Sequence, residues 1–215
     1  ALYECADDFL GGKNIIKEVW ALFHEINSLS IRKEFVMQIS IENTGIEGAV
    51  LVKTDIFKDN RGQFREIFRA DQFRGLGLPD EFVQVNQSRS LKNVLRGLHF
   101  QWDPPMGKLM RVTAGEAFLV AVDIRIGSPS FGRGVGFNFS SEDASALWAP
   151  AGFARGLCAL SDVAEIEYLC TGIYNSECES GIIWNDPNYL ISWPIADPIL
   201  SLIIFSMKAC KFVSI

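Results

Sequence analysis

The chain has 215 residues, of which 48% are apolar, and its formal net charge is -6. This length and composition suit one domain with a substantial core and exclude a disordered chain. The acidic balance argues against a general nucleic-acid binder, although a local arginine cluster can still hold a phosphate. The sixteen Phe and five Trp need a wide interior, a subunit interface or a ring-binding cleft.

The cysteines and the apolar stretches indicate the compartment. The five cysteines include no CxxC pair, and an odd count of this kind predicts free thiols in a cytoplasmic protein. No secretory signal is visible. The most apolar stretch, Ile199–Met207, is too short to span a bilayer, so we expect no membrane partner.

Both ends of the chain differ in pattern from its middle. Apolar residues recur at helical spacing over Lys13–Leu29, which predicts an amphipathic helix within a helical extension, residues 1–36. Two interpretations stay open: an appendage in front of a domain that begins at Met37, or an ordinary N-terminal helix packed on a sheet. Residues 201–215 form an apolar tail that fits neither a surface loop nor a well-capped helix.

Short strands and turns fill the middle of the chain. Asp59–Gly62 has the chemistry of a tight turn, and a strand is predicted after it over Gln63–Arg69. Many short strands, regular turns and no long helix after residue 40 predict an all-β sandwich or barrel over residues 37–200.

The predicted strands include one pair that is especially clear. Leu109–Arg125 predicts two strands broken at Ala114 and Gly115. Phe118–Val122 is apolar on both faces, as a strand buried between two layers would be. Further short strands are predicted at Ala164–Tyr168 and Ile182–Trp184.

The histidines limit the possible chemistry. The chain has two, His24 and His99, and only His99 lies in the β region. A metal-binding jelly roll needs two or three histidines and a carboxylate on one ion, so we expect no metal site.

His99 stands in a short motif with two cations nearby. Gly97, between Arg96 and His99, can form a bulge that turns both side chains to one side. Lys108 follows after a Pro104-Pro105 turn. Arg, His and Lys near one sheet edge suit an anionic substrate with a proton to remove, since His is a base near neutral pH and Lys can stabilise an enolate oxygen. A satisfied core or rim histidine is the alternative.

Tyr168 is the second candidate for proton transfer. Strand alternation places Tyr168 on the inward face with Ile166, and Glu165 and Glu167 on the other face. A core tyrosine with a bonded hydroxyl is the alternative. Gln84 and Asn86 alternate on one face of another predicted strand, which indicates a lined cavity.

Several motifs occur in order between about Gly45 and Ser201. They are Asp59–Gly62, Phe82–Asn86, Arg96–Gln101, Gly107–Leu109, Leu147–Pro150 and Gly181–Pro187. On these residues the chain resembles the dTDP-4-dehydrorhamnose 3,5-epimerase family. The resemblance implies a double-stranded β-helix, or cupin-type jelly roll, that forms a homodimer and uses no metal and no cofactor.

The resemblance also implies a reaction and its residues. The enzyme would be an isomerase that inverts C3 and C5 of dTDP-4-keto-6-deoxyglucose, giving dTDP-4-keto-rhamnose for dTDP-rhamnose and surface polysaccharide synthesis. His99 would remove the protons, Lys108 would stabilise the enolate and Tyr168 would return a proton from the opposite face. The positions that match substrate-binding residues are Arg61, Phe64, Glu66, Gln84, Asn86, Arg96, Arg155, Tyr174 and Glu179.

The chain departs from the family pattern at two places. Arg155 stands where the family commonly has His, and we interpret it as a binding residue, because a guanidinium cannot exchange a proton near neutral pH. After Ser201 the family usually has an acidic residue, a basic residue and then an Asp that orients the base His, whereas this chain has Leu202, Ile203 and Ile204. No carboxylate side chain follows Asp197, which is too distant to nominate as a substitute.

Three functions therefore stay open. The first is the two-centre epimerase, with activity reduced by the missing Asp. The second is a single-centre 3- or 5-epimerase or a ketoisomerase of the same class. The third is a catalytically silent sugar-nucleotide binder or structural subunit, which the missing Asp favours and the retained His99, Lys108 and Tyr168 oppose.

Overall fold

The computed structural model of the protein describes residues 37–189 and 191–200. The predicted helix over Lys13–Leu29 and the apolar tail, residues 201–215, lie outside the described residues. The boundaries of the predicted N-terminal extension and of the tail therefore stay predictions.

The described part of the chain is built almost wholly of strands. In chain order the elements are β1 (Ile39–Asn43), β2 (Val50–Thr54), β3 (Phe57–Asp59), β4 (Gly62–Phe64), helix α1 (Ala70–Gly75), β5 (Gln84–Leu91), β6 (Leu95–Gln101), β7 (Lys108–Ala114), β8 (Glu116–Asp123), β9 (Gly134–Ser140), β10 (Ser145–Ala149), β11 (Phe153–Ala159), β12 (Val163–Cys170), a 3-10 turn (Ser176–Cys178) and β13 (Glu179–Gly181).

These strands form two large antiparallel sheets and a hairpin. The first sheet has the order β1-β2-β10-β7-β12-β5, the second has the order β13-β6-β11-β8-β9, and β3 pairs with β4. The sheets face each other across a core to which β7, β10 and β12 contribute from one side and β8, β9 and β11 from the other. This arrangement confirms the predicted all-β jelly roll.

Both sheets are also covered on their outer faces. Leu119 and Ala121 of β8 point into the core between the sheets. Phe118, Val120 and Val122 point outward into a second apolar cluster that includes Trp193. β8 is therefore buried on both faces, as its continuous apolar sequence predicted. The first sheet is covered by an aromatic cluster on and around α1, in which the Phe68 and Phe73 rings meet edge to face at 4.9 Å.

Two predicted strands differ from the structure, and one predicted break is confirmed. β7 and β8 are separated at Gly115, as expected. The strand predicted over Gln63–Arg69 ends at Phe64, because the Arg65 guanidinium donates to the carbonyls of Ser141 and Asp143 and the chain leaves the hairpin. The prediction of a strand over Ile182–Trp184 is wrong.

The strand closest to residues 182–184 is β13, which ends just before them. β13 ends at Gly181, and Ile182 then exchanges two backbone hydrogen bonds with Leu98, at 2.8 and 3.3 Å. Beyond that pair the chain turns at Trp184, whose carbonyl accepts the Trp193 indole N–H at 2.8 Å. The side chains of this segment cover the second sheet instead of extending it.

A bulge at Gly97 shapes β6. Arg155 of β11 lies opposite His99 and Leu157 lies opposite Arg96, so two residues of β6 face one of β11. Gly97 has φ +120°, and a Cβ there would lie 2.5 Å from the Gly156 Cα and 2.7 Å from the Arg155 carbonyl oxygen. The backbones meet so closely that glycine is required. The predicted bulge is confirmed.

We expect the Gly97→Ala substitution to lower the free energy of unfolding by about 3 kcal/mol or more, because backbone strain and steric overlap add. The matched control is Gly45→Ala. Gly45 also has a positive φ, +82°, but nothing lies within 4 Å of its added Cβ, so we expect a loss of about 1 kcal/mol. Urea unfolding of the three proteins measures both losses, and equal losses would contradict the close approach at Gly97.

Candidate active site

A cleft opens between the two sheets beyond the end of the core. Its volume is about 200 Å³, and β6 and β11 of the second sheet face β7 and β12 of the first across it. The lining residues are Arg96, His99, Lys108, Met110, Arg155, Gly156, Leu157, Tyr168 and Glu179. The cleft therefore brings together all three predicted catalytic residues and three of the predicted binding residues.

The second sheet supplies the histidine and two arginines. His99 lies in β6, with 29% of its side chain exposed. Arg96 lies three positions earlier, and in a regular strand it would point to the opposite face. The Gly97 bulge turns Arg96 and His99 into the same cleft. Arg155 enters from the neighbouring strand β11, directly opposite His99 in the register.

The first sheet supplies the lysine and the tyrosine. Lys108 is the first residue of β7 and pairs with Cys170 of β12, two residues after Tyr168. The Lys108 Nζ lies 5.9 Å from the centroid of the Tyr168 ring. His99 and Tyr168 therefore reach the cleft from opposite sheets, and Lys108 lies on the tyrosine side.

Burial and neighbouring cations lower the pKa of His99 below its ordinary value of 6.5. Burial is the larger cause, and Lys108, Arg155 and Arg96 act in the same direction, whereas Glu179 opposes them. His99 is thus neutral at neutral pH, with a nitrogen lone pair available to accept a proton.

Burial acts on the pKa values of both Lys108 and Arg155. Burial, and then the charge of Arg155, lowers the pKa of Lys108. Burial also lowers the pKa of Arg155, to about 10. The Arg155 Nη1 donates to the Met106 carbonyl at 2.6 Å, while its buried Nε has no hydrogen-bond partner in the described part of the chain. A buried donor of this kind is suited to an oxygen of a bound molecule.

Tyr168 is held as a neutral phenol. Burial raises its pKa to about 12, although the hydrogen bond with Ser88 and the charge of Arg96 act against the rise. The Tyr168 hydroxyl lies 2.7 Å from the Ser88 Oγ. The hydroxyl therefore carries its proton at neutral pH and can donate it.

A hydrogen-bonded group closes the rim of the cleft. Gln84 donates to the Asn86 side chain at 2.9 Å and accepts from the backbone N–H of Tyr174 at 2.8 Å. The Tyr174 hydroxyl donates to the Glu179 Oε2 at 2.8 Å, and this bond raises the pKa of Tyr174. Three more predicted binding residues, Gln84, Asn86 and Tyr174, are thus joined to Glu179 in the cleft.

The remaining predicted binding residues do not line this cleft. Arg61 and Phe64 belong to the β3–β4 hairpin, beside a separate depression. Phe64 is 68% exposed. Glu66 follows the hairpin, and its Oε2 is buried without a hydrogen-bond partner among the described residues. The roles predicted for these three residues stay predictions.

Two serines that bond cleft residues were not assigned a role from the sequence. Ser88 bonds Tyr168, and Ser90 accepts from the Arg96 Nε at 2.9 Å. Both lie on β5 at even positions, two and four residues after Asn86. The alternation that singled out Gln84 and Asn86 extends to them.

Two further features concern metals and membranes. In residues 37–189 and 191–200, no three His, Cys, Asp or Glu side chains come together as a set that could hold a metal ion. The expectation that no metal and no cofactor takes part stays a prediction. Within the same residues, no helix has the length and apolar character needed to cross a bilayer.

Two relatives of this chain have the same name. A relative from Neisseria gonorrhoeae, named dTDP-4-dehydrorhamnose 3,5-epimerase, is 47% identical over 164 residues, which are 76% of this chain and 50% of that protein. A relative from Shigella flexneri with the same name is 46% identical over 165 residues, which are 76% of this chain and 91% of that protein. The chain thus spans half the length of the first relative and nearly all of the second.

A solved structure agrees with these relatives. The dTDP-6-deoxy-D-glucose-3,5-epimerase of Legionella pneumophila, in complex with dTDP-4-keto-L-rhamnose, is 44% identical. It superposes with a TM-score of 0.77 over 80% of this chain and 93% of that one.

Two packed antiparallel sheets with a cleft between them define a cupin-type, double-stranded β-helix protein. The family model of dTDP-4-dehydrorhamnose 3,5-epimerase matches residues 43–209. The chain belongs to the dTDP-4-dehydrorhamnose 3,5-epimerase family, as the resemblance of its motifs predicted.

We expect His99 to titrate below pH 6.5, since burial and three cations disfavour its charged form. A proton NMR titration of the intact protein measures this pKa, and the chain has only His24 as a second histidine. The His24→Asn variant assigns the two signals. A His99 pKa at or above 6.5 would contradict the electrostatics described for the cleft.

Proposed function

We propose that this protein is an isomerase that inverts C3 and C5 of dTDP-4-keto-6-deoxyglucose and gives dTDP-4-keto-rhamnose. The observation that carries the proposal is the placement of His99 and Tyr168 on opposite sheets around one cleft, with Lys108 beside the tyrosine. Inversion of a carbon needs a proton removed from one face and returned to the other. A base and an acid on opposite walls suit that requirement.

The proposed chemistry uses the C4 carbonyl of the substrate. Neutral His99 takes the proton from C3, and the electron pair of that C–H bond moves to form a C3–C4 double bond while the carbonyl oxygen gains the negative charge. The Lys108 ammonium stabilises the resulting enolate oxygen. The Tyr168 hydroxyl then gives its proton to C3 from the opposite face, which restores the carbonyl. The His99 imidazolium then loses its proton to solvent and the Tyr168 phenolate takes one from solvent, which restores the base and the acid, and the same steps at C5 complete the reaction.

The charges of the cleft support an anionic substrate. In the described part of the chain, Arg96, Lys108 and Arg155 line the cleft against one carboxylate, Glu179, although the whole chain carries a net charge of -6. A nucleoside diphosphate supplies the negative charge that such a cluster attracts. We assign nucleotide and sugar binding to the cleft and its rim, and include Arg61, Phe64 and Glu66 on the resemblance alone.

Two other functions follow from different features. A single-centre epimerase or a ketoisomerase would use the same base and the same enolate, so the cleft suits it equally. A silent sugar-nucleotide binder is supported by the absence of any Asp or Glu after Asp197, where the family has an orienting Asp. The number of carbons that exchange their protons separates these functions.

We also propose that the protein forms a homodimer in the cytoplasm. β5 is the last strand of the first sheet, and Val83, Val85 and Leu91 in and beside it are exposed by 48, 59 and 65%. An apolar edge strand is normally covered by a partner. Sedimentation should therefore give twice the monomer mass of 24.0 kDa, and Val85→Asp should shift it toward the monomer mass. A monomeric wild-type protein would overturn this proposal.

The test of the reaction is proton NMR in deuterated water with dTDP-4-keto-6-deoxyglucose. We expect deuterium to enter at both C3 and C5. His99→Asn should slow both exchanges by about 10³-fold, because a positioned general base contributes roughly 10²–10⁴-fold. Removal of the other histidine by His24→Asn serves as the matched control, with exchange expected at the wild-type rate.

The possible outcomes separate the three functions. Exchange at one carbon alone would favour the single-centre enzyme. No exchange, with dTDP still bound, would favour the silent binder. Exchange that persists in His99→Asn would exclude His99 as the base.

A further inference from the structure

We propose that Glu179 is the positioning residue for His99, holding the Nδ1 side of the imidazole so that Nε2 faces the substrate. The inference rests on the proposed function and deepens it. It also gives Glu179 a role beyond the substrate binding predicted from the sequence. The sequence alone named no carboxylate that could orient His99.

The contact between the two residues is a product of strand pairing. β13 pairs with β6 on the side away from β11, with Glu179 opposite Gln101 and Gly181 opposite His99. This register brings the Glu179 Oε1 to 3.7 Å from the His99 Nδ1. Within the described residues, the Nδ1 is buried and has no hydrogen-bond partner at hydrogen-bonding distance. A short movement of either side chain on substrate binding would complete a hydrogen bond.

Glu179 is itself held in place. Its second oxygen, Oε2, accepts the Tyr174 hydroxyl at 2.8 Å, and the backbone N–H of Tyr174 is bonded to Gln84. The chain beside Tyr174 is fixed by Gln101, whose side chain donates to the Ile173 carbonyl at 3.0 Å and accepts from the Asn175 N–H at 2.8 Å. One oxygen of Glu179 is thus anchored and the other points to His99.

The cations around His99 mean that its protonated form needs a nearby carboxylate to stabilise it. When His99 accepts a proton it becomes a cation that faces Arg96 of β6, Lys108 of β7 and Arg155 of β11, with the neutral Tyr168 on β12. Among the described residues that line the cleft, Glu179 is the one anion. It therefore stabilises the imidazolium against three cations, as an aspartate does in a His–Asp pair.

The same contact selects the tautomer of the neutral ring. A carboxylate accepts but cannot donate, so it favours a proton on Nδ1 and leaves the lone pair on Nε2. Glu179 then acts through His99 and need not touch the reacting carbons.

The experiment compares the wild-type protein with Glu179→Gln and Glu177→Gln. Glu177 is an exposed residue of the adjoining 3-10 turn, so its substitution makes the same charge change away from the cleft. ¹⁵N NMR of the imidazole, without substrate, gives the pKa of His99 and its tautomer. Steady-state epimerisation gives kcat and KM, and calorimetry gives the affinity for dTDP.

We expect the wild-type His99 to carry its neutral-state proton on Nδ1. In Glu179→Gln its pKa falls further, because the anion that raised it is gone. The acid limb of kcat/KM then moves to lower pH. We also expect kcat to fall by about 10²-fold, the upper end of the range known for outer partners of metal-binding histidines, while dTDP still binds. Glu177→Gln should match the wild type in every measurement.

Two results would overturn the inference. One is a wild-type His99 with its proton on Nε2. The other is Glu179→Gln with an unchanged His99 pKa and an unchanged kcat but a raised KM, which would make Glu179 a substrate-binding residue alone. The titration needs no turnover, so failure of the epimerase proposal, seen as no exchange in the wild-type protein, is distinguished from failure of this inference.

Discussion

The close backbone approach of β6 and β11 at Gly97 and Gly156 is the constraint on which the site depends. There is no room for a Cβ between these strands, since it would lie 2.5 Å from the Gly156 Cα. The bulge that results turns Arg96 and His99 into one cleft and sets Arg155 opposite His99. On the other side of β6, the pairing with β13 delivers Glu179. One irregular strand therefore brings four polar side chains from three strands to a single position.

The protonation states of the cleft residues follow from the close grouping of these polar side chains. An acidic chain gathers two arginines and a lysine around one histidine. Burial and the cations lower the pKa of His99 and keep it neutral, burial and Arg155 lower the pKa of Lys108, and burial keeps Tyr168 protonated. A base, a stabilising cation and an acid are then present together at neutral pH. A bound dianion would neutralise part of the positive charge and ease the protonation of His99.

Much of this arrangement could be predicted from the sequence, because it depends on local patterns. The break at Gly115, the apolar run of β8 and the alternation around Tyr168 each follow from short-range rules, and the fold follows from their sum. The contact between Glu179 and His99 could not be predicted, because it depends on the pairing of strands 80 positions apart in the chain. The strand predicted at Ile182–Trp184 failed for a related reason: apolar residues that cover a sheet have the composition of residues that extend one. The positions of Arg61 and Phe64, on a hairpin away from the cleft, likewise depend on tertiary placement.

The central claim is that the base and the acid act on opposite faces of the sugar, and Tyr168→Phe tests it most directly. The measurement is the configuration and the deuterium content of C3 in substrate recovered from this variant in deuterated water. If His99 lies alone on its face, it removes and returns the proton there, so deuterium enters at C3 with the original configuration retained and little inverted product forms. Inverted product formed at the wild-type rate would show that the second proton does not come from Tyr168, and would contradict the two-sided mechanism.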